Sequence, residues 1–130
     1  MTVQHFTEKD AKFYKRKDRQ IFLGDVVDPS NGATMSVGFG RYMKKGETNE
    51  FIITYDEALI ITKGVFTVHS DGGAITAKAG EVIWLTKGTK VVYEAAADNT
   101  ELVYVTYPHW MAAQAKSEHA SLLDAFQPVG

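Results

Sequence analysis

Acidic and hydroxyl side chains gather in a glycine-bounded stretch, Gly46–Gly64, with the sequence GETNEFIITYDEALIITKG. The pattern is typical of two short strands that turn over at Tyr55-Asp56, with Glu57 directly after the turn. A second stretch bounded by glycines, Gly80–Gly88, has the sequence GEVIWLTKG. A carboxylate in an apolar pocket can serve as a general acid or base, or it can hold a cation. Together the two stretches predict a small barrel with a pocket, and they fix no reaction.

The composition is that of one ordinary globular domain. The chain has 130 residues, enough for a single domain, residues 1–130, and too few for two. It contains no cysteine, which excludes disulfides and thiolate metal sites. The net charge of −2 gives no overall attraction to nucleic acid. No signal-peptide region follows Met1 and no apolar run is long enough to span a membrane. We therefore expect a cytoplasmic protein that binds neither nucleic acid nor membrane.

The order of predicted elements indicates an all-β fold with a short helix at each end. Strand-like segments recur about every 8–12 residues between turn residues, which is typical of an antiparallel sandwich or barrel. We place this core at about residues 20–108. Thr7 and Asp10 resemble a helix N-cap, so a short helix or turn from Glu8 to about Lys17 is expected. Apolar side chains spaced by three or four residues predict a C-terminal helix at about 109–126. They are Met111, Ala115, His119, Leu122 and Phe126.

The first glycine-bounded stretch resembles the first cupin motif. That motif runs Gly, five residues, His, one residue, His, three or four residues, Glu, six residues, Gly. Counted from Gly46, the histidine positions hold Ile52 and Thr54. Glu57 is present with six residues before Gly64, although only two residues separate it from Thr54.

The second stretch resembles the second cupin motif, which runs Gly, five residues, Pro, one residue, Gly, two residues, His. Gly80 and Gly88 keep their places, Thr86 replaces the proline and Val91 replaces the histidine. The resemblance implies an antiparallel cupin jelly-roll barrel. Within the cupins, the segments YDEALIITKGVFTV, AGEVIWLTKGTKV and ELVYVTYP are most similar to the cupin domain of the ethanolamine-utilisation EutQ family. This chain corresponds to that cupin part alone.

Membership of that family would imply a role in amine and aldehyde breakdown in bacterial microcompartments, and an acetate-kinase-like activity has been attributed to the family. The resemblance also implies a degenerate metal site. Cupin metals are held by imidazoles and a carboxylate, and the residues in the three imidazole positions, Ile52, Thr54 and Val91, include no nitrogen donor. Glu57 alone would hold a divalent ion weakly. We therefore predict no cofactor and weak or no divalent metal binding.

Residues that face the barrel interior would form the site. If positions 52, 54 and 57 face inward as in cupins, strand alternation places Glu50 and Tyr93 inside as well. The predicted catalytic residues are Glu57, Tyr55 and Glu50. The predicted ligand-binding residues are Thr54, Trp84, Tyr93 and His109, the last of which follows a strand near the barrel mouth. A carboxylate pair could act as general acid and base, or it could bind an ammonium or ethanolamine-like cation beside the ring of Trp84 or Tyr93. The alternative is that Glu57 only accepts hydrogen bonds from Tyr and Thr hydroxyls.

Three functions follow from this interpretation. The first is an EutQ-like cupin that acts in bacterial amine, aldehyde or carboxylate catabolism through an acidic pocket. The second is a non-catalytic module that binds a small ligand or takes part in assembly. The third is a metal-free epimerase or isomerase, which would need an inward histidine that the pattern does not supply. Several strands are apolar on both faces, for example Leu102-Val103-Tyr104-Val105. We therefore expect a homodimer through sheet faces or edges.

Overall fold

The computed structural model describes residues 2–129 of the chain, so Met1 and Gly130 of the expected domain lie outside the described residues. Eleven strands and one α-helix, α1, form its regular structure. The strands are β1 Lys12–Arg16, β2 Ile21–Val27, β3 Ser36–Tyr42, β4 Thr48–Ile52, β5 Asp56–Lys63, β6 Val65–Ser70, β7 Gly73–Lys78, β8 Val82–Leu85, β9 Lys90–Ala95, β10 Thr100–Tyr107 and β11 Phe126–Pro128. Helix α1 spans Trp110–Ala115. Short 3₁₀ helices lie at Glu8–Asp10, Pro29–Asn31 and Ala120–Ala125.

The strands form two antiparallel sheets that enclose the core. One sheet has seven strands in the order β11-β1-β2-β3-β10-β5-β8, and the other has four in the order β4-β9-β6-β7. Gly46–Gly64 contains β4 and β5, and Gly80–Gly88 contains β8, which pairs with β5. Strand β9, which carries Val91 and Tyr93, lies in the sheet opposite β5, so the inward side chains of β5 and β9 meet across the interior. The predicted all-β cupin jelly-roll barrel is confirmed.

Alternating burial along the strands shows which face is inside. In β3 and β10 every second residue is buried, as expected for strands with one face on a core. Glycines let the inner face of β3 come close to its neighbour. A Cβ on Gly38 would lie 2.3 Å from the Tyr104 hydroxyl oxygen, so no larger residue fits opposite that ring.

The N-terminal segment forms a shorter helix than the sequence pattern predicts. Thr7 caps the 3₁₀ turn Glu8–Asp10, and the Asp10 side chain accepts the Thr7 backbone N–H in return. The chain then becomes extended, because Lys12–Arg16 pair with β2 on one side and with β11 on the other. Pairing within the sheet therefore replaces the helix expected to reach Lys17.

The C-terminal helix is also shorter than the predicted span of 109–126. Helix α1 ends at Ala115, and a separate 3₁₀ helix begins at Ala120. Ser117 interrupts the helix: its hydroxyl donates to the Gln114 carbonyl at 2.8 Å and accepts the His119 N–H at 3.0 Å. Such side-chain bonds compete with the helical backbone ladder. The chain then returns as β11, which pairs with β1.

None of the helices within residues 2–129 is long and apolar enough to cross a membrane.

Candidate functional site

The interior of the barrel holds a small, largely aromatic cavity between the two sheets. Its lining residues are Leu23, Tyr42, Asn49, Phe51, Tyr55, Glu57, Leu59, Phe66, Tyr93, Leu102, Tyr104 and Trp110. The cavity volume is about 30 Å³, which is room for roughly two or three water molecules. Within residues 2–129, one carboxyl group lines this cavity and no Lys, Arg or His side chain does.

That carboxyl group belongs to Glu57, the second residue of β5. Its residue is 6% exposed, and Oε1 accepts a hydrogen bond from the Tyr93 hydroxyl at 2.5 Å. Burial away from water raises the pKa of the Glu57 carboxyl to about 7 from its ordinary value of 4.5, and the Tyr93 hydrogen bond opposes the rise. Glu57 can therefore gain or lose a proton near neutral pH.

Three tyrosines surround this carboxyl group and keep their own protons. Burial raises the pKa values of Tyr42, Tyr55 and Tyr93 far above the ordinary value for tyrosine. The negative charge of Glu57 adds to the rise in each of the three pKa values. The phenols therefore act as hydrogen-bond donors at any ordinary pH.

A polar chain leads from one cavity wall to the surface. Arg16, on β1, donates from Nη1 to Asn49 Oδ1 at 2.9 Å. Asn49 donates from Nδ2 to the Tyr42 hydroxyl oxygen at 3.0 Å. Asn49 and Tyr42 are both buried. The Arg16 side chain is 14% exposed, and its Nη2 lies 3.3 Å from Glu50 Oε2.

A second polar cluster closes the barrel beside α1. The carboxylate of Asp25, on β2, accepts hydrogen bonds from the Tyr104 hydroxyl and from Trp110 Nε1, the latter at 3.0 Å. Its Oδ2 lies 2.6 Å from His109 Nε2. His109 Nδ1 accepts the Ala112 backbone N–H at 3.2 Å, which caps α1. Both ring nitrogens of His109 are therefore occupied, and this pair fixes the helix rather than offering a base.

His109 does not line the aromatic cavity. It lines a separate surface cavity of about 210 Å³, together with residues such as Tyr14 and Asp28. Of these two predicted ligand-binding residues, Tyr93 therefore faces the interior beside Glu57, whereas His109 does not. Tyr55, a predicted catalytic residue, also lines the interior and is buried.

The predicted inward position of Glu50 is wrong. Its side chain is 46% exposed and pairs with Arg19 at 3.0 Å as well as with Arg16 at 3.3 Å. In β4 the buried residues are its neighbours Asn49 and Phe51, so strand alternation turns Glu50 toward the solvent.

The predicted inward positions of Thr54 and Trp84 are also wrong. Thr54 Oγ1 donates to Oε1 of Gln114, a buried residue of α1, at 2.9 Å. Trp84 is 63% exposed, because the inner face of β8 is taken by Ile83 and Leu85. Neither side chain lines the aromatic cavity.

The wrong inward positions of Glu50 and Thr54 arise from the residue at which the count along the cupin motif begins. Counted back from Glu57 in steps of two, Tyr55, Ile53, Phe51 and Asn49 are all buried. Counted forward from Gly46, the motif selects Ile52 and Thr54 on the other face. The frame anchored on Glu57 also restores the three-residue gap of the cupin motif, since residues 54–56 separate it from Ile53.

The residues in this corrected frame do not fit a transition metal. The imidazole positions are Phe51, Ile53 and Val91, and none of these side chains has a donor atom. Throughout residues 2–129, no three His, Asp or Glu side chains are grouped so that they could hold a metal ion. No step of the chemistry is therefore assigned to a bound metal.

Several lining residues were not identified from the sequence: Tyr42, Asn49, Phe51, Tyr104 and Trp110. The count back from Glu57 in steps of two was an available signal for Asn49 and Phe51. Trp110 depends on the turn of the chain after β10, which no local pattern specifies.

Comparison with known proteins gives one family. The family model described as "Ethanolamine utilisation protein EutQ" matches residues 3–112. The protein named acetate kinase EutQ from Clostridioides difficile (strain 630) is 32% identical over 78 residues, covering 60% of this chain and 49% of that protein. This chain spans about half the length of the curated relatives it matches.

Solved structures share the fold. A structure of unknown function from Rhizobium leguminosarum is 29% identical with a TM-score of 0.69, covering 84% of this chain and 100% of that one. An ethanolamine utilization protein from Salmonella typhimurium LT2 is 24% identical with a TM-score of 0.65, covering 72% of this chain and 74% of that one. At 24% identity the second likeness shows the fold alone.

Proposed function

The chain belongs to the family of the ethanolamine utilisation protein EutQ, and we propose that it acts in ethanolamine utilisation by binding a small protonated amine inside its barrel. One observation carries the proposal: the cavity wall formed by the described residues has one carboxyl group, Glu57, and no basic side chain. A buried carboxylate without a cation is costly. Below about pH 7 a proton removes that charge, and above it an ammonium group would take the place of the proton.

The rings around Glu57 suit a cation. Phe51, Phe66, Tyr93 and Trp110 line the cavity, and the face of an aromatic ring attracts a positive charge, more strongly where water is excluded. Of the two rings expected in this role, Trp84 lies outside the cavity and Tyr93 lines it, so Tyr93 and the newly identified rings would take that role.

The cavity favours an amine over a carboxylate. The curated relatives are named acetate kinases, so an acetate-kinase activity is the alternative to consider for this chain. An acetate ion in this cavity would place a second negative charge beside Glu57. No Lys, Arg or His within residues 2–129 lines the cavity to neutralise it. That repulsion in a medium of low dielectric constant would weaken binding strongly.

The size of the cavity limits the ligand. A volume of about 30 Å³ corresponds to roughly two or three water molecules, and hence to a molecule of about three or four non-hydrogen atoms. A sugar nucleotide is far larger. Together with the occupied nitrogens of His109, this makes the epimerase-like alternative the weakest of the three functions.

We also propose that the site works without a transition metal, because Phe51, Ile53 and Val91 cannot supply ligands. The degenerate metal site would then be a cation site in which Glu57 alone provides the negative charge. Binding is the function this geometry supports best. A carboxyl group with a pKa near 7 could also exchange a proton with the bound amine.

The test uses ethylamine, which carries one ammonium group at pH 8 and has no other polar group. Thermal unfolding of the wild-type protein at pH 8 is measured with ethylammonium chloride or sodium acetate, each at up to about 100 mM and at equal ionic strength. Ethylammonium should raise the melting temperature and acetate should not. Glu57→Gln should abolish the shift. The matched control is Glu94→Gln, which removes a carboxylate from the same strand as Tyr93 but outside the cavity, where Glu94 Oε1 lies 2.6 Å from His69 Nε2. An equal shift with Glu57→Gln, or none with wild type, would overturn the proposal.

A further inference from the structure

We propose that the Arg16–Asn49–Tyr42 chain makes the cavity selective for a small amine that also carries a hydroxyl group, an amino alcohol, over a plain alkylamine. This inference rests on the proposed binding of an amine at Glu57. It adds a hydrogen-bond partner for the other end of the same ligand, the hydroxyl group. The direction of each hydrogen bond in this chain is set by the partner that is able to donate.

Arg16 sets the direction of the chain. A guanidinium group donates hydrogen bonds and accepts none. The amide atom of Asn49 that meets Arg16 Nη1 at 2.9 Å must therefore be the oxygen. This fixes the orientation of an amide whose two ends otherwise look alike. The Asn49 nitrogen consequently faces the Tyr42 hydroxyl at 3.0 Å.

Tyr42 is thereby made a donor into the cavity. An amide nitrogen donates and does not accept, so the Tyr42 oxygen must be the acceptor in its bond with Asn49. The hydroxyl hydrogen of Tyr42 has to point elsewhere, and among residues 2–129 no acceptor is found for it. The residue is 2% exposed and lines the aromatic cavity. Its hydrogen is therefore available to a bound ligand.

The cavity then offers two complementary groups. Glu57 accepts hydrogen bonds and attracts positive charge, whereas Tyr42 donates a hydrogen bond and carries no charge. A ligand that satisfies both has an ammonium group at one end and an oxygen acceptor at the other. With room for about three or four non-hydrogen atoms, a two-carbon amino alcohol is the matching class.

Selectivity follows from the cost of an unpaired polar group. A site that hydrogen-bonds a hydroxyl group binds poorly to an analogue that lacks it, because a buried donor is left without a partner. We expect wild type to bind ethanolamine about three- to tenfold more tightly than ethylamine, the effect of one such hydrogen bond.

The experiment compares ethanolamine with ethylamine by calorimetric titration at pH 8. Tyr42→Phe should remove the preference by weakening ethanolamine binding, with ethylamine binding changed by less than about twofold. Tyr107→Phe, an exposed tyrosine at the end of β10, is the matched control and should keep the wild-type ratio.

A second variant reverses the hydrogen-bond direction without removing Tyr42. In Asn49→Asp both side-chain oxygens are acceptors, so Tyr42 would donate to residue 49 instead of to the ligand. Its charge would be balanced by Arg16. The ethanolamine preference should be lost in this variant also, which a merely structural role for Asn49 would not predict. Arg16→Lys retains a donor to Asn49 and should keep the preference.

The outcomes separate the two proposals. If neither amine binds to wild type, the amine site itself fails and this inference fails with it. If both amines bind equally well to wild type, or if Tyr42→Phe and Asn49→Asp leave the ratio unchanged, Glu57 still binds amines but the selectivity through Tyr42 is overturned.

Discussion

The Tyr93 hydroxyl donates to Glu57 Oε1 at 2.5 Å and thereby joins the two sheets of the barrel across its interior. Glu57 lies on β5 of the seven-stranded sheet and Tyr93 on β9 of the four-stranded sheet. The carboxyl group is buried, and the hydrogen bond partly compensates the cost of its negative charge. The resulting pKa of Glu57 is about 7.

The stability of the protein should fall as the pH rises from about 4.5 to 7. The pKa of Glu57 is about 7 in the folded protein and 4.5 in its ordinary state, so the folded state holds a proton that the unfolded state has lost. The free energy of unfolding therefore decreases through that window and levels off above pH 7. The whole decrease from this one group is about 3 kcal/mol.

Urea unfolding of wild type and Glu57→Gln at several pH values between 5 and 8 measures this effect. The variant has no group to titrate at this position, so its stability relative to wild type should increase with pH. If the two curves of stability against pH run parallel, Glu57 does not have a raised pKa.

Tyr93→Phe should raise the pKa of Glu57 above 7, because the Tyr93 hydrogen bond is the interaction that lowers it. Amine binding should then weaken at pH 7 and recover as the pH is raised further. The lost hydrogen bond to a charged group should also cost about 1.5–3 kcal/mol of stability when Glu57 is ionised. Ethylamine titrations at several pH values check the shift, with Tyr107→Phe as the control. A binding curve with the wild-type midpoint would show that the bond does not set the pKa.

The homodimer remains a prediction, and the outer face of the β5–β8 edge is where we place it. Trp84 and Val82 are 63% and 61% exposed on the edge strand β8, and Val82 lies opposite the part-exposed Ile60 in the pairing with β5. An exposed apolar face on an edge strand favours association with a second copy.

Sedimentation velocity at micromolar concentration should show a dimer for wild type, and Trp84→Glu should shift the protein toward monomer. Val129→Glu, at an exposed residue near the C terminus, should leave the dimer intact. A monomeric wild type, or a dimer unaffected by Trp84→Glu, would contradict the assignment.

Much of the fold is encoded locally and could be predicted. The alternation in β3 and β10 and the turns at Asp28–Gly32 and Ser70–Gly73 are sequence signals, and the strands they predict are present. The ends of the chain were harder, because their structure depends on distant partners. Lys12–Arg16 is extended through pairing with β2 and β11, and the basic composition of this segment carries no sign of that pairing.

The site was predictable only in part, for a geometrical reason. Glu57 and Tyr93 follow from the two motifs, but one residue of slippage turns every side chain of a strand to the other face. That slip, between Gly46 and β4, placed Glu50, Ile52 and Thr54 inside the barrel, where the structure has Asn49, Phe51 and Ile53. Glu57 is a more reliable anchor than Gly46, because counting back from it in steps of two reaches Phe51 and Asn49, which are both buried.

The contacts of Asp25 with His109 and Trp110 could not be predicted in the same way. These residues are 84 and 85 positions apart in the chain, and they meet because α1 folds over the end of the barrel. Arg16 and Asn49 are separated by 33 positions and meet across the edge of the two sheets. Only the tertiary structure brings such pairs together.

The central claim is that Glu57 ionises inside the barrel when an amine binds to it. The most direct measurement is a ¹³C NMR titration of the Glu57 side-chain carboxyl group, with and without saturating ethylamine. We predict a pKa of about 7 for the free protein and a decrease of at least about one unit with the amine, because a bound cation stabilises the carboxylate. A pKa near 4.5 in the free protein, or a raised pKa that the amine does not change, would contradict the claim.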